Sequence, residues 1–173
     1  MGSWDRGVEY EYILNKLIRL INTEKSNKNK CYASILLIQL VNGGRISEAV
    51  RGYKEYLKTG KTELRVRVSK KKQEDLRLMI IPNNVVKCYD VSEIGDKELR
   101  DRVIYYCRKK LKVNTHSLRY SFITYLLRNN VSPAIISKIT HHAKLDLILH
   151  YTQQKTAEGL LRNIIDNVHM SID

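Results

Sequence analysis

A histidine and an arginine three residues apart, His116 and Arg119, are followed by His142 and, nine residues beyond it, by Tyr151. Upstream, Gly43-Gly44-Arg45-Ile46-Ser47-Glu48 supplies a second arginine. A tyrosine, two arginines and two histidines are the groups needed to cut a phosphodiester without a metal. A phenol is a weak nucleophile at neutral pH because its ordinary pKa is about 10. It needs a pre-positioned phosphate and groups that stabilise the added negative charge. Arginine suits that task, since it stays charged and offers a planar fork to phosphate oxygens. Two such forks would form an electrostatic hole for a pentacoordinate, phosphorane-like transition state. No D-x-D or acidic triad stands ready to hold a catalytic pair of magnesium ions. His141, His142 and His150 lack the further ligands of a metal site, so neither a metal nor another cofactor is expected.

The elements that must position these residues are readable from periodicity. Val8 to Asn22 carries apolar residues at helical spacing, and Cys31 to Val41 is apolar all round, which predicts a buried helix. Asn42-Gly43-Gly44 should stop that helix, and Ile46 to Leu57 should form a third, ending at Thr59-Gly60. The period then changes to two. Leu64, Val66 and Val68 alternate with charged residues, and Leu76 to Ile81 forms a partner strand, giving a hairpin with a basic tip. Val85 to Val91 fits either a third short strand or an irregular connection. Helical spacing returns over Asp96 to Lys110, with Tyr105 and Tyr106 facing the core. Thr115 is the expected N-cap of a helix from His116 to Asn129, on which Tyr120 and Tyr125 are packing residues. Ser132-Pro133 starts another that runs to Thr140. A short helix near Leu145 to Tyr151 and a last one over Thr156 to His169 complete the chain. The fold class is mainly α with a small antiparallel β-sheet (α+β).

Composition narrows the partners. Thirty-one Lys and Arg against 18 Asp and Glu leave a formal charge of +13 over 173 residues. Such an excess favours polyanions, and double-stranded DNA is the expected partner. Arg65 and Arg67 share a strand face, and Lys109, Lys110 and Lys112 cluster ahead of the H-x-x-R helix; all five are candidate DNA contacts. No apolar run approaches the roughly 18 residues of a membrane span, so no membrane partner is expected. Cys31, Cys88 and Cys107 are odd in number, far apart and form no C-x-x-C pair. They are expected to be reduced, buried thiols in an intracellular protein rather than a disulfide framework.

In type, order and late spacing these motifs resemble those of the tyrosine recombinases, the family of phage integrases and Xer-type recombinases. The residues that carry the resemblance are Gly43 to Val50, His116-x-x-Arg119 and His142-x8-Tyr151. The lysine-, isoleucine- and tyrosine-rich texture is most like that of an archaeal virus integrase. The family implies a catalytic domain over residues 8–173. Residues 1–7 read as an expression remnant and linker, and the N-terminal domain that clamps the opposite face of DNA is expected to be absent. It implies that Tyr151 attacks the scissile phosphate and becomes joined to the 3′ end, while Arg45 and Arg119 bind the non-bridging oxygens. His116 would assist proton transfer or orient the phosphate, and His142 would hydrogen-bond an oxygen. One hairpin lysine would protonate the leaving 5′ oxygen: Lys70 first, with Lys71 and Lys72 as alternatives. Glu48, one turn after Arg45, would orient basic partners. The family also implies attachment sites as substrate and a homo-oligomer on DNA, a tetramer at synapsis, with a monomer in isolation as an open alternative. The expected location is inside the cell, on host or viral DNA.

Two departures stand out. The family often has Leu-Gly-His where this chain has Thr140-His141-His142, and the stretch from Arg45 to His116 is short. Two other readings remain: type IB topoisomerase-like relaxation, and a non-catalytic helix-turn-helix DNA binder built on Ser132 to Tyr151.

Overall fold

The computed structural model describes residues 8–69, 74–141 and 158–166. Helix α2 (Asn27–Asn42) is the axis of the molecule; α1 (Tyr10–Thr23), α3 (Ile46–Thr59), α4 (Asp96–Leu111) and α5 (Thr115–Arg128) all pack against it. That explains its composition. Cys31 through Leu40 are buried without interruption, so no face is left for charge. Helix α1 buries only Ile13, Leu17 and Ile21, one stripe of an amphipathic helix. The expected buried helix begins at Asn27, four residues ahead of Cys31, because Ser26 caps it with a side-chain oxygen that accepts from the Asn29 N–H.

Strands β1 (Glu63–Arg67) and β2 (Leu76–Ile80) form the antiparallel hairpin, with Val66 opposite Arg77 and Arg65 opposite Leu78. Its register is unusual in what it buries. β1 turns Leu64 and Val66 inward as expected, but β2 turns Arg77 and Met79 inward and leaves Leu76, Leu78 and Ile80 exposed. Gly52 on α3 permits this, since a Cβ there would lie 2.2 Å from the Met79 sulfur.

The Val85 to Val91 connection is irregular and ends in a 3-10 turn, Tyr89–Val91. It is docked rather than loose: Tyr53 Oη donates to the Val86 carbonyl at 2.8 Å, and the Val86 N–H donates to Ser34 Oγ at 3.2 Å. Here the cysteine expectation fails. Cys31 and Cys88 form a disulfide, with Cα atoms 6.0 Å apart across 57 residues of sequence, and only Cys107 is a free buried thiol. Distance along the chain concealed proximity in space.

Two smaller corrections concern helix faces. Asn114, not Thr115, is the N-cap of α5: its Oδ1 accepts from the Ser117 N–H at 2.9 Å, which leaves Thr115 inside the first turn. Of the two tyrosines on α4 only Tyr106 faces the core; Tyr105, one residue earlier, is 66% exposed. Helix α6 (Pro133–Thr140) starts with Ser132 as its cap and proline at the first turn, as expected. It shares a small second core with α5, made of Phe122, Ile123 and Ile136. Tyr125 stacks on Tyr10 at 4.2 Å. Residues 158–166 are helical and expose Leu160, Leu161, Ile164 and Ile165. The short helix expected near Leu145 to Tyr151 lies outside the described residues.

Candidate active site

The C-terminal end of α2 brings the two arginine motifs together. Gly43 caps the helix in the left-handed conformation, φ +59°, where glycine is the unstrained choice. A Cβ at Gly43 would also lie 2.2 Å from the Phe122 ring on α5. The turn therefore sits directly against the H-x-x-R helix. Two buried side chains fasten it there. Gln39 Nε2 donates to the Gly44 carbonyl at 3.2 Å and to the Thr115 carbonyl at 2.8 Å, tying the residue before Arg45 to the residue before His116. Arg119 Nη1 donates to the Gly43 carbonyl at 2.9 Å, and its Nη2 donates to the Thr140 carbonyl at 3.0 Å. Segments 76 residues apart in sequence thus meet at one point. Arg45 and His116 each stand at a helix start, α3 and α5, where the backbone dipole favours an anion.

Arg119 is 1% exposed, and burial together with the nearby Arg45 charge lowers its pKa to about 10. The Arg45 charge thus acts against the Arg119 charge, and an anion at this turn would offset that repulsion. Arg45 keeps 23% of its side-chain exposure. His116 is exposed, its ring edge-on to Tyr120 at 4.8 Å.

Glu48 lies beneath this turn with no exposure at all. Its carboxylate accepts from the Arg45 N–H at 3.1 Å, Arg45 Nη1 at 3.3 Å, the Ser69 N–H at 3.0 Å and Arg77 Nη1 at 3.1 Å. Burial alone would raise its pKa. The two backbone donors and the Arg77 and Arg45 charges outweigh that and hold it below the ordinary carboxylate range. Arg77, buried on β2, completes the pair; burial lowers its own pKa while Glu48 works against the fall. Its Nη2 donates to the Asn42 carbonyl. The Asn42 amide in turn grips β2, accepting from the Ile80 N–H at 2.9 Å and donating to the Ile80 carbonyl at 2.8 Å. Ser69 is held at both ends: its Oγ lies 2.7 Å from Ser47 Oγ and accepts from Arg51 Nη2 at 2.7 Å. The residue just before Lys70 is fixed to the first turns of the helix that Arg45 begins.

Four predicted site residues, Arg45, Glu48, His116 and Arg119, therefore surround one turn. Lys70, Lys71, Lys72, His142 and Tyr151 lie outside the described residues. Arg65 and Arg67 are exposed on the outer hairpin face. Lys109 is exposed, 6.0 Å above the Tyr105 ring, and Lys112 is exposed, whereas Lys110 is paired with Glu24 at 2.6 Å. Sequence reasoning missed Gln39, Asn42 and Arg77. No sequence signal marked Arg77: alternation with Leu76, Leu78 and Ile80 would turn it toward solvent, the reverse of what β2 does. Among the described residues no three His, Cys, Asp or Glu side chains converge as a metal site, and no helix is long and apolar enough to cross a membrane.

No family profile matches the chain. Individual relatives do. It is 41% identical over 172 residues to Putative integrase ORF241 of Acidianus two-tailed virus, covering 95% of this chain and 70% of that protein. It is 31% identical over 201 residues to the uncharacterized protein MJ0770 of Methanocaldococcus jannaschii, covering 95% and 90%. Putative integrase V10 of Sputnik virophage is 29% identical over 202 residues, with 91% and 88% covered. Among solved structures the XerA recombinase superposes with a TM-score of 0.54 at 19% identity, over 82% of this chain and 58% of that one, which shows a shared fold. With two arginine motifs joined at one turn, a hairpin beside them and a viral integrase 41% identical over 95% of this chain, this chain belongs to the tyrosine recombinase (integrase) family.

Proposed function

We propose that the chain is the catalytic domain of a site-specific DNA recombinase that breaks and rejoins strands through a 3′-phosphotyrosyl intermediate, without a metal. The observation that carries this reading is the convergence of Arg45, His116 and Arg119 on the Gly43-Gly44 turn, through the shared donors Gln39 and Arg119. A scissile phosphate seated there meets two guanidinium charges and two helix starts, so charge that develops on its oxygens is stabilised by groups already in place. Tyr151 supplies the nucleophilic oxygen, its phenolic proton passes to His116, and its bond to phosphorus replaces the bond to the 5′ oxygen. A lysine from 70–72 delivers the proton to that leaving oxygen, and His142 supports a non-bridging one. Rejoining runs the same steps backward from an incoming 5′ hydroxyl. Residues 8–173 form this unit. Exchange between two attachment sites uses four protomers, and the exposed apolar residues of 158–166 suit docking on a neighbour.

The test is a nicked duplex carrying the attachment site, incubated in EDTA and resolved on a denaturing gel. A protein–DNA adduct that disappears in Tyr151→Phe supports the reading. An adduct that survives the substitution removes Tyr151 as nucleophile, and DNA binding without any adduct removes catalysis. Exchange between two labelled sites, as against relaxation of a supercoiled circle lacking them, separates recombinase from topoisomerase.

A further inference from the structure

His141 ends α6 in the left-handed conformation, with φ 52° and ψ 42°. That backbone state crowds any Cβ and favours glycine or asparagine at a helix C-terminus. A histidine there is a local misfit, so its side chain should have a reason to be present. The ring supplies one. His141 Nδ1 lies 2.8 Å from Asp75 Oδ2, donating to a carboxylate on the hairpin 66 residues away in sequence. Asp75 is itself part of the hairpin frame, since its carbonyl accepts from the Val68 N–H at 2.7 Å.

The hairpin thus has two fastened feet flanking the lysines at 70–72. Ser69 is fastened to α3 through Glu48, and Asp75 is fastened to the end of α6. The second tie is partly exposed, with 21% and 28% of the two side chains accessible, so it can be cut without opening a core. Arg119 already bonds to the carbonyl of Thr140, the neighbouring residue. The end of α6 therefore joins the arginine site to the hairpin.

We propose that His141 is a positioning residue, a latch through Asp75 that sets the lysine hairpin against the end of α6, which leads in sequence into His142. This rests on the recombinase reading for its catalytic consequence, while the latch itself can be measured without it. The decisive variant is His141→Gly, because glycine suits the left-handed cap and a purely structural histidine would be improved upon by it. Wild type, His141→Gly, Asp75→Asn and the double variant are compared for thermal midpoint, affinity for the duplex, single-turnover adduct formation on the nicked substrate, and hydrogen exchange of the hairpin amides. His141→Gly should melt at or above the wild type and bind DNA equally, yet form adduct roughly 10- to 100-fold more slowly, the cost of a misplaced reacting group. Asp75→Asn should slow it comparably, and the double variant should be no worse than the worse single one. Hairpin amides should exchange faster in both single variants. A wild-type adduct rate in His141→Gly, or losses that multiply in the double variant, would overturn the positioning role. If the wild-type protein forms no Tyr151-dependent adduct, the recombinase reading falls, and unchanged hairpin exchange in His141→Gly would then sink the latch separately.

Discussion

At its N-terminal end α2 is fastened by a covalent bond and apolar contacts; at its C-terminal end it is fastened by buried charge. Around Cys31 lie the disulfide to Cys88 and the ring of Tyr32, tilted against Tyr106. Around Asn42 lie Gln39, Glu48, Arg77 and Arg119, each 1% exposed or less. A buried ion pair is an inefficient source of stability, because desolvating two charges offsets most of their attraction. It is directional, however, and apolar packing is not. One helix can hence be made stable at one end and exact in geometry at the other, and the candidate site residues among those described, Arg45, Glu48, His116 and Arg119, lie at the second. Gly43 and Gly52 serve the same end, leaving to the Phe122 ring on α5 and the Met79 sulfur on the hairpin the space that a Cβ would take.

Removing parts of either end separates these roles. Glu48→Ala should have the largest effect, since it strands the buried Arg77 charge: a loss on the order of 3–5 kcal/mol in urea unfolding. The same carboxylate makes the charged end sensitive to acid. Its pKa is lowered by folding, so its contribution is complete above the ordinary glutamate range and disappears as pH falls through the lowered value. Urea midpoints at pH 7, 5 and 3 should drop, and Glu48→Gln should flatten the part of that drop due to this group. Next, Arg45→Ala should slow adduct formation by roughly 100- to 1,000-fold, as for other preorganised charge donors, while melting close to the wild type. A stability loss as large as that of Glu48→Ala would instead make Arg45 a structural residue.

At the opposite end the pattern should reverse. Cys31→Ser, or reduction of the native protein, should cost roughly 2–4 kcal/mol of stability and leave adduct formation unchanged at temperatures where the fold persists. An equal loss of catalysis would show that the two ends are not independent. The smallest effects belong to the outer hairpin face. Arg65→Ala and Arg67→Ala should each lower the salt slope of DNA affinity by about one, with no change in adduct rate on saturated DNA. An unchanged slope would mean that this face is turned away from the duplex.

The parts of the site legible in the sequence were those with a short-range signature. Arg45 and Glu48 share a helix turn, and His116 and Arg119 share another, so spacing alone aligned each pair. The fastening residues had no such signature. Gln39 sits within an apolar run where a polar residue reads as an interruption, Asn42 reads only as part of the helix stop, and Arg77 sits in a strand otherwise made of Leu, Met and Ile. The partners through which they join separate elements are 29 to 76 residues away. The same limit hid the disulfide, whose two halves had to be brought together by the docking of Val86 on Ser34 and Tyr53.

Periodicity, glycine placement and local motif spacing were sufficient to determine a helical protein with one hairpin, and the family that its motifs match. These are properties of residues a few positions apart, and backbone geometry enforces them locally. Tertiary structure alone decided which charges are buried together, that β2 turns its arginine inward, that Cys31 meets Cys88, and that His141 meets Asp75. Each depends on which helix face docks where, and hydrophobic burial of α2 on all sides settles that collectively rather than residue by residue.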